Sequence, residues 1–218
     1  MAAIGSIDPV LVVQVRAAFE QTCIELLEWA CQTLKSNKRV DTDWGEENIS
    51  ANIYTYIKDS QQSIDADIHV ESEHPFYSQD ILDNKKKAKK ASRIDMVFQH
   101  NWSGQRFVYY VEAKNLVEHD YIKTGKKRAV KANRIQERYI DTGIDHFLKG
   151  YYPKGCLLGY VLNGTINGVV NALNSLLVKA GRNSEMLSYS TGTNPWMRYC
   201  SSHVKQNMTL EHYLFNFN

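Results

Sequence analysis

The stretch Arg93–Asn115, RIDMVFQHNWSGQRFVYYVEAKN, decides the fold of this chain. Its two halves alternate as strands do. Ile94, Met96 and Phe98 point to one side of the first half, and Arg93, Asp95 and Val97 to the other. Asn101-Trp102-Ser103-Gly104 is a turn signal. In the second half Phe107, Tyr109, Val111 and Ala113 share one face, and Val108, Tyr110, Glu112 and Lys114 share the other. A strand apolar on both faces belongs inside a sheet. Asp95, Glu112 and Lys114 are therefore charges where a buried strand should have none. The period of two places Glu112 and Lys114 on one side, roughly 6–7 Å apart.

A buried carboxylate needs compensation. Two arrangements supply it. In one, Lys114 pairs with Glu112 or Asp95 as a structural ion pair. In the other, Asp95, Glu112 and the carbonyl of Ala113 hold Mg²⁺ or Mn²⁺, which favour oxygen ligands. Lys114 then lies beside the ion, to orient a water or neutralise charge on a phosphate, and a helical Glu46 completes the site. Glu46 also has a plainer role. Asp43 as helix N-cap and Glu46 three residues on have the spacing of a capping box. Glu47 lies about a hundred degrees further round the helix.

Upstream, Asp8-Pro9 starts a long helix that runs to about Leu34. Asp41 to Gln62 holds a second, with Ile49, Ile53 and Ile57 on one face. Asp67–Glu73 alternates as a short strand, and Lys85–Lys90, KKKAKK, is either a solvated run or a loop near a phosphate backbone. Downstream, Gly125–Gly150 has helical apolar spacing, with seven basic residues and one acid between Lys123 and Arg138. Gly155–Asn163 is an apolar strand, Thr165–Ala180 a helix stopped by Gly181, and Trp196–Val204 and Thr209–Phe217 are late strands or irregular edges. This order predicts an α/β fold with a central mixed sheet flanked by helices. It reads as one domain over 1–218, with its core at about 44–163 and helix 9–34 and strands 196–217 as additions.

At 218 residues a single sizeable core is expected. No apolar run is long enough to cross a bilayer and no signal peptide is evident, so a cytoplasmic location without membrane contact is expected. Cys23, Cys31, Cys156 and Cys200 lack zinc-ligand spacing and are read as reduced. The net charge of +2 hides an asymmetry. Residues 1–83 carry 15 acids and 5 Lys/Arg, and residues 84–218 carry 9 acids and 21 Lys/Arg. A polyanion partner for the second part is one explanation, and two solvated faces that offset each other is the other.

An Asp ending one strand, Glu-x-Lys on the next and a basic helix after it resemble the PD-(D/E)xK, or restriction-endonuclease-like, nuclease superfamily. RIDMVF…VYYVEAKN carries the resemblance, which spans about Glu46–Asn163; Ile94 stands where the family name has proline. The resemblance implies a Mg²⁺-dependent deoxyribonuclease of that fold, acting in restriction or antiphage defence as a homodimer or a subunit of a larger complex. It implies catalytic roles for Asp95, Glu112, Lys114 and Glu46, or else Glu47. It implies metal ligation by Asp95, Glu112 and Ala113, and nucleic-acid contacts from Lys126, Lys127, Arg128, Lys131, Arg134, Gln136 and Arg138. A catalytically inactive nucleic-acid-binding or scaffolding protein of the same fold is the alternative.

Overall fold

Asp8 opens the first helix, accepting a 2.8 Å hydrogen bond from the Val10 N–H ahead of Pro9. The structure, a computed structural model, describes residues 8–77, 79–85, 87 and 91–218, apart from the side chains of residues 76, 79, 80 and 92. Helix α1 spans Pro9–Asn37 and α2 spans Glu46–Lys58. Asp43 is not the α2 cap. Gly45 holds that position without a side-chain bond, and Asp43 instead accepts from the Thr124 N–H at 2.9 Å. The short α3, Gln61–Asp65, is capped by Ser60. Strand β1 spans His69–Phe76 and starts later than expected, because Asp67 has a left-handed φ of 51°. A one-turn α4, Gln79–Leu82, follows. Of the lysine run, residues 86 and 88–90 lie outside the described residues.

The hairpin forms as its pattern requires. Strand β2 covers Ser92–Trp102 and β3 covers Gln105–Val117. Ser103 and Gly104 join them with φ of 46° and 78°, the positive pair of a two-residue hairpin turn. One expectation fails locally. Ile94 packs with Val97, not with Met96 and Phe98. Opposite this point Glu73 has φ 49°, and the β1–β2 pairing skips from Ser72↔Met96 to His74↔Ile94.

The expected helix over Gly125–Gly150 is shorter and interrupted. Tyr121 and Val130 pair as an isolated antiparallel bridge, so Lys126–Arg128 lie on an exposed loop. Helix α5 starts at Ala132 and ends at Arg138; a π-helical stretch, Tyr139–Ile144, leads into α6, Asp145–Leu148. Within the π stretch, Gly143 lies so close to β4 that an added Cβ would stand 2.8 Å from Leu157. Strand β4 is Gly155–Asn163 and α7 is Ile166–Lys179, capped by Thr165. Strands β5, Ser188–Thr193, β6, Trp196–His203, and β7, Met208–Asn216, end the fold.

All seven strands form one mixed sheet in the order β1-β2-β3-β4-β7-β6-β5. Strands β3, β4 and β7 run parallel at its centre, between an antiparallel meander on each side. Of the C-terminal strands, β7 lies against β4, and β6 and β5 extend the sheet to its edge. One core cluster packs α1 and α2 on the sheet, and the second packs the π stretch and α7 on it. The four cysteines are free thiols. No helix among the described residues is long and apolar enough to cross a membrane.

Candidate active site

The hairpin strands part where the charges begin. Pairing of β2 with β3 runs from Trp102↔Gln105 to Met96↔Val111. Beyond it the β3 edge that faced β2 needs other acceptors. The Ala113 N–H donates to Asp95 Oδ2 at 2.7 Å, and the Asn115 N–H donates to Glu46 Oε2 at 3.2 Å. Two carboxylates thus continue the ladder that β2 abandons. Asn115 Nδ2 also donates to the Trp44 carbonyl at 3.0 Å, fastening the start of α2 to the sheet. Glu46 is the first residue of α2, and its carboxylate serves this junction rather than a capping box. Glu47 is exposed.

Lys114 sits among these groups. It is 6 % exposed and Glu112 is 4 % exposed. Its ammonium donates to Glu112 Oε1 at 2.6 Å, to the Ala113 carbonyl at 2.7 Å and to Glu46 Oε1 at 3.2 Å, with Asp95 Oδ2 at 3.9 Å. Three carboxylates surround one ammonium, so negative charge is in surplus. Burial pushes the Asp95 carboxyl up to about 6; Lys114 and the Ala113 N–H oppose this, and Glu46 adds to it. Burial likewise pushes Glu112 up to about 7, against Lys114 and with Asp95. For Lys114, burial favours the neutral amine, but Glu112, Glu46 and Asp95 outweigh it and raise its pKa. The buried Tyr152 hydroxyl stays protonated, first through burial and then through the charges of Glu112 and Asp95.

The oxygens around Lys114 suit a hard divalent cation in kind and in charge. Among the described residues no group of three or more His, Cys, Asp and Glu is set to hold a metal ion as the side chains stand. The Lys114 ammonium fills the space between the oxygens, so cation binding requires it to move aside.

A cleft of about 270 Å³ opens beside Glu46 and Lys114. Gly45, Asn115, Tyr121, Lys123, Val130, Ile135 and Arg138 complete its lining. Of the expected nucleic-acid contacts, Arg138 reaches this cleft. Lys126, Lys127, Arg128 and Arg134 are exposed, and Lys131 pairs with Asp120 at 2.7 Å. Gln136 is 4 % exposed and donates to the Val117 carbonyl at 2.9 Å, where the β3–β4 register shifts. It therefore faces the sheet. Tyr121 and Lys123 were not singled out as site residues; their signal was only their place in the basic segment after β3.

A second buried network lies on β6 and β7, with Tyr139 of the π stretch. The Tyr139 hydroxyl bonds His212 Nδ1 at 2.9 Å, and Ser201 Oγ bonds His212 Nε2 at 2.8 Å and His203 Nε2 at 2.7 Å. His203 Nδ1 reaches Glu185 at 2.8 Å, and Arg182 pairs with Glu185 at 2.6 Å and Asp145 at 2.9 Å. Ser201, His203 and Glu185 have the contacts of a nucleophile, base and orienting acid, but Ser201 and His203 are each 1 % exposed.

No protein-family model, curated protein or solved structure matches this chain.

Proposed function

We propose that the protein is a metal-dependent nuclease that hydrolyses phosphodiester bonds, with DNA the first substrate class to test and restriction or antiphage defence its setting. One observation carries this reading: carboxylates from α2, β2 and β3 converge on one buried lysine, with surplus negative charge, at the side of a cleft bearing Lys123 and Arg138. Asp95, Glu112 and the Ala113 carbonyl would hold Mg²⁺ or Mn²⁺. Such an ion, when bound, lowers the pKa of water and stabilises charge on phosphoryl oxygens. Lys114, once displaced from between the oxygens, keeps its charge beside them and orients the attacking water or neutralises the phosphoryl oxygens. Glu46 holds Lys114 and the Asn115 backbone in place. Lys123 and Arg138 attract the polyanion.

A second reading has its own support. Asp95 and Glu46 already satisfy backbone N–H groups, and Lys114 has three acceptors. The cluster could thus be structural, in a nucleic-acid-binding or scaffolding protein. The test is incubation with DNA and RNA in Mg²⁺, Mn²⁺ or EDTA, alongside Glu112→Gln. Cleavage that needs the cation and disappears in the variant supports the nuclease. Intact substrate under every condition supports the second reading.

A further inference from the structure

We propose that the cleft beside the carboxylate cluster is a subsite for one unpaired nucleotide, so that the substrate is single-stranded or locally unpaired nucleic acid. This rests on the nuclease reading of the adjacent cluster.

Charge comes first. Lys123 and Arg138 line the cleft, and neither forms an ion pair within 4.0 Å among the described residues. Lys123 lies within electrostatic reach of Asp43, but that carboxylate is engaged by Thr124. Of the other basic groups of this region, Lys131 is paired with Asp120, while Lys126, Lys127, Arg128 and Arg134 are exposed and are not part of the cleft lining. Two cations left over beside a buried acidic cluster suit an external phosphate.

The remaining walls do not suit a bare phosphate. Tyr121, Val130 and Ile135 form an aromatic and aliphatic surface. Reciprocal backbone hydrogen bonds between Tyr121 and Val130, at 3.2 and 2.7 Å, hold it. A positive groove with an aromatic platform is how proteins bind single strands, because every base has a stackable face. Asn115 also lines the cleft, its Nδ2 tied to the Trp44 carbonyl. Size sets the last limit. A cleft of about 270 Å³ suits one nucleotide rather than a base pair. A base that enters it must leave its stack, which costs least when it is already unpaired.

The experiment is fluorescence binding with a 2-aminopurine oligonucleotide, single-stranded or annealed as a blunt duplex, in Ca²⁺. Wild-type protein is compared with Lys123→Ala, Arg138→Ala, Tyr121→Ala and Tyr121→Phe. The single strand is expected to bind ~10-fold tighter than the duplex, with a change in 2-aminopurine emission. Lys123→Ala and Arg138→Ala should each weaken binding several-fold, and Tyr121→Ala should lose ~10-fold and the emission change. Tyr121→Phe keeps the ring and should retain both. Equal affinity for the two forms overturns the proposal, as does unaltered single-strand binding by Lys123→Ala and Tyr121→Ala. Binding is read without hydrolysis. A single-strand preference that depends on Tyr121, with no cleavage in Mg²⁺ or Mn²⁺, would uphold the subsite and reject the nuclease; cleavage of blunt duplex without preference would do the reverse.

Discussion

Two buried polar networks occupy the same sheet, and they are closed in different ways. The chain from Tyr139 through His212, Ser201 and His203 to Glu185 matches each contact with a partner, and its one firm cation, Arg182, meets Glu185 and Asp145. Burial holds its histidines neutral: it lowers His212 to about 3 and moves His203 down as well. The cluster around Lys114 is not balanced. Three carboxylates face one ammonium, and Asp95 and Glu112 are both pushed up. The first network has the atoms of a hydrolytic triad and no access; the second opens on a cleft and carries surplus charge. Accessibility and unbalanced charge, not residue types alone, mark the candidate site.

The largest expected effect is on Lys114. Lys114→Ala leaves three neighbouring carboxylates without their cation, which should cost about 3–5 kcal/mol at neutral pH in denaturant unfolding. It should also remove cleavage. A variant as stable as wild type would place the ammonium outside the cluster's balance.

The two networks should give opposite pH slopes. Asp95 and Glu112 have raised folded values, so the folded state holds more protons than the unfolded one between their ordinary range and about 6 and about 7. Without divalent cation, stability should therefore fall as pH rises from about 4 to 7, by up to about 3 kcal/mol for each group, less because they titrate together. His212 is depressed to about 3. Its contribution is complete above the ordinary histidine value and is lost as pH falls toward 3. Glu112→Gln should flatten the first slope alone and stabilise the cation-free protein at pH 8. A steeper slope in that variant would contradict the stated charge surplus.

Ser201→Ala sharpens the contrast from the other side. It leaves two buried imidazoles short of a partner and should cost about 1–3 kcal/mol, with cleavage per folded molecule unchanged. Loss of cleavage at full stability would make Ser201 part of the chemistry. The smallest effects belong to the exposed loop: Lys126→Ala or Lys127→Ala should weaken nucleic-acid binding slightly and reduce the salt slope by about 1 if the residue meets a phosphate.

Much of this was legible in the residues. Alternation exposed the β2–β3 hairpin, and the period of two placed Glu112 with Lys114. Glu46 was ambiguous because Asp43 and Glu46 have capping-box spacing; the decision depended on Thr124, which draws Asp43 away across the fold. Gln136 was expected among the nucleic-acid contacts, yet it donates to the Val117 carbonyl at the register shift between Leu116 and Val117. No local pattern signals that contact. The helix expected from Gly125 fails for a similar reason: the Tyr121–Val130 bridge, a tertiary pairing, holds the basic run in a loop. The histidine network joins residues from the π stretch through β7 and leaves no local signature.

We propose the surplus charge around Lys114 as a divalent-cation site. The thermal unfolding midpoint at pH 8, measured against increasing Mn²⁺ for wild type and Glu112→Gln, tests it most directly. The midpoint should rise with Mn²⁺ concentration for wild type, as for any ligand that binds only the folded state, and the rise should be lost in the variant. A wild-type midpoint that stays flat, or an equal rise in both proteins, would contradict it.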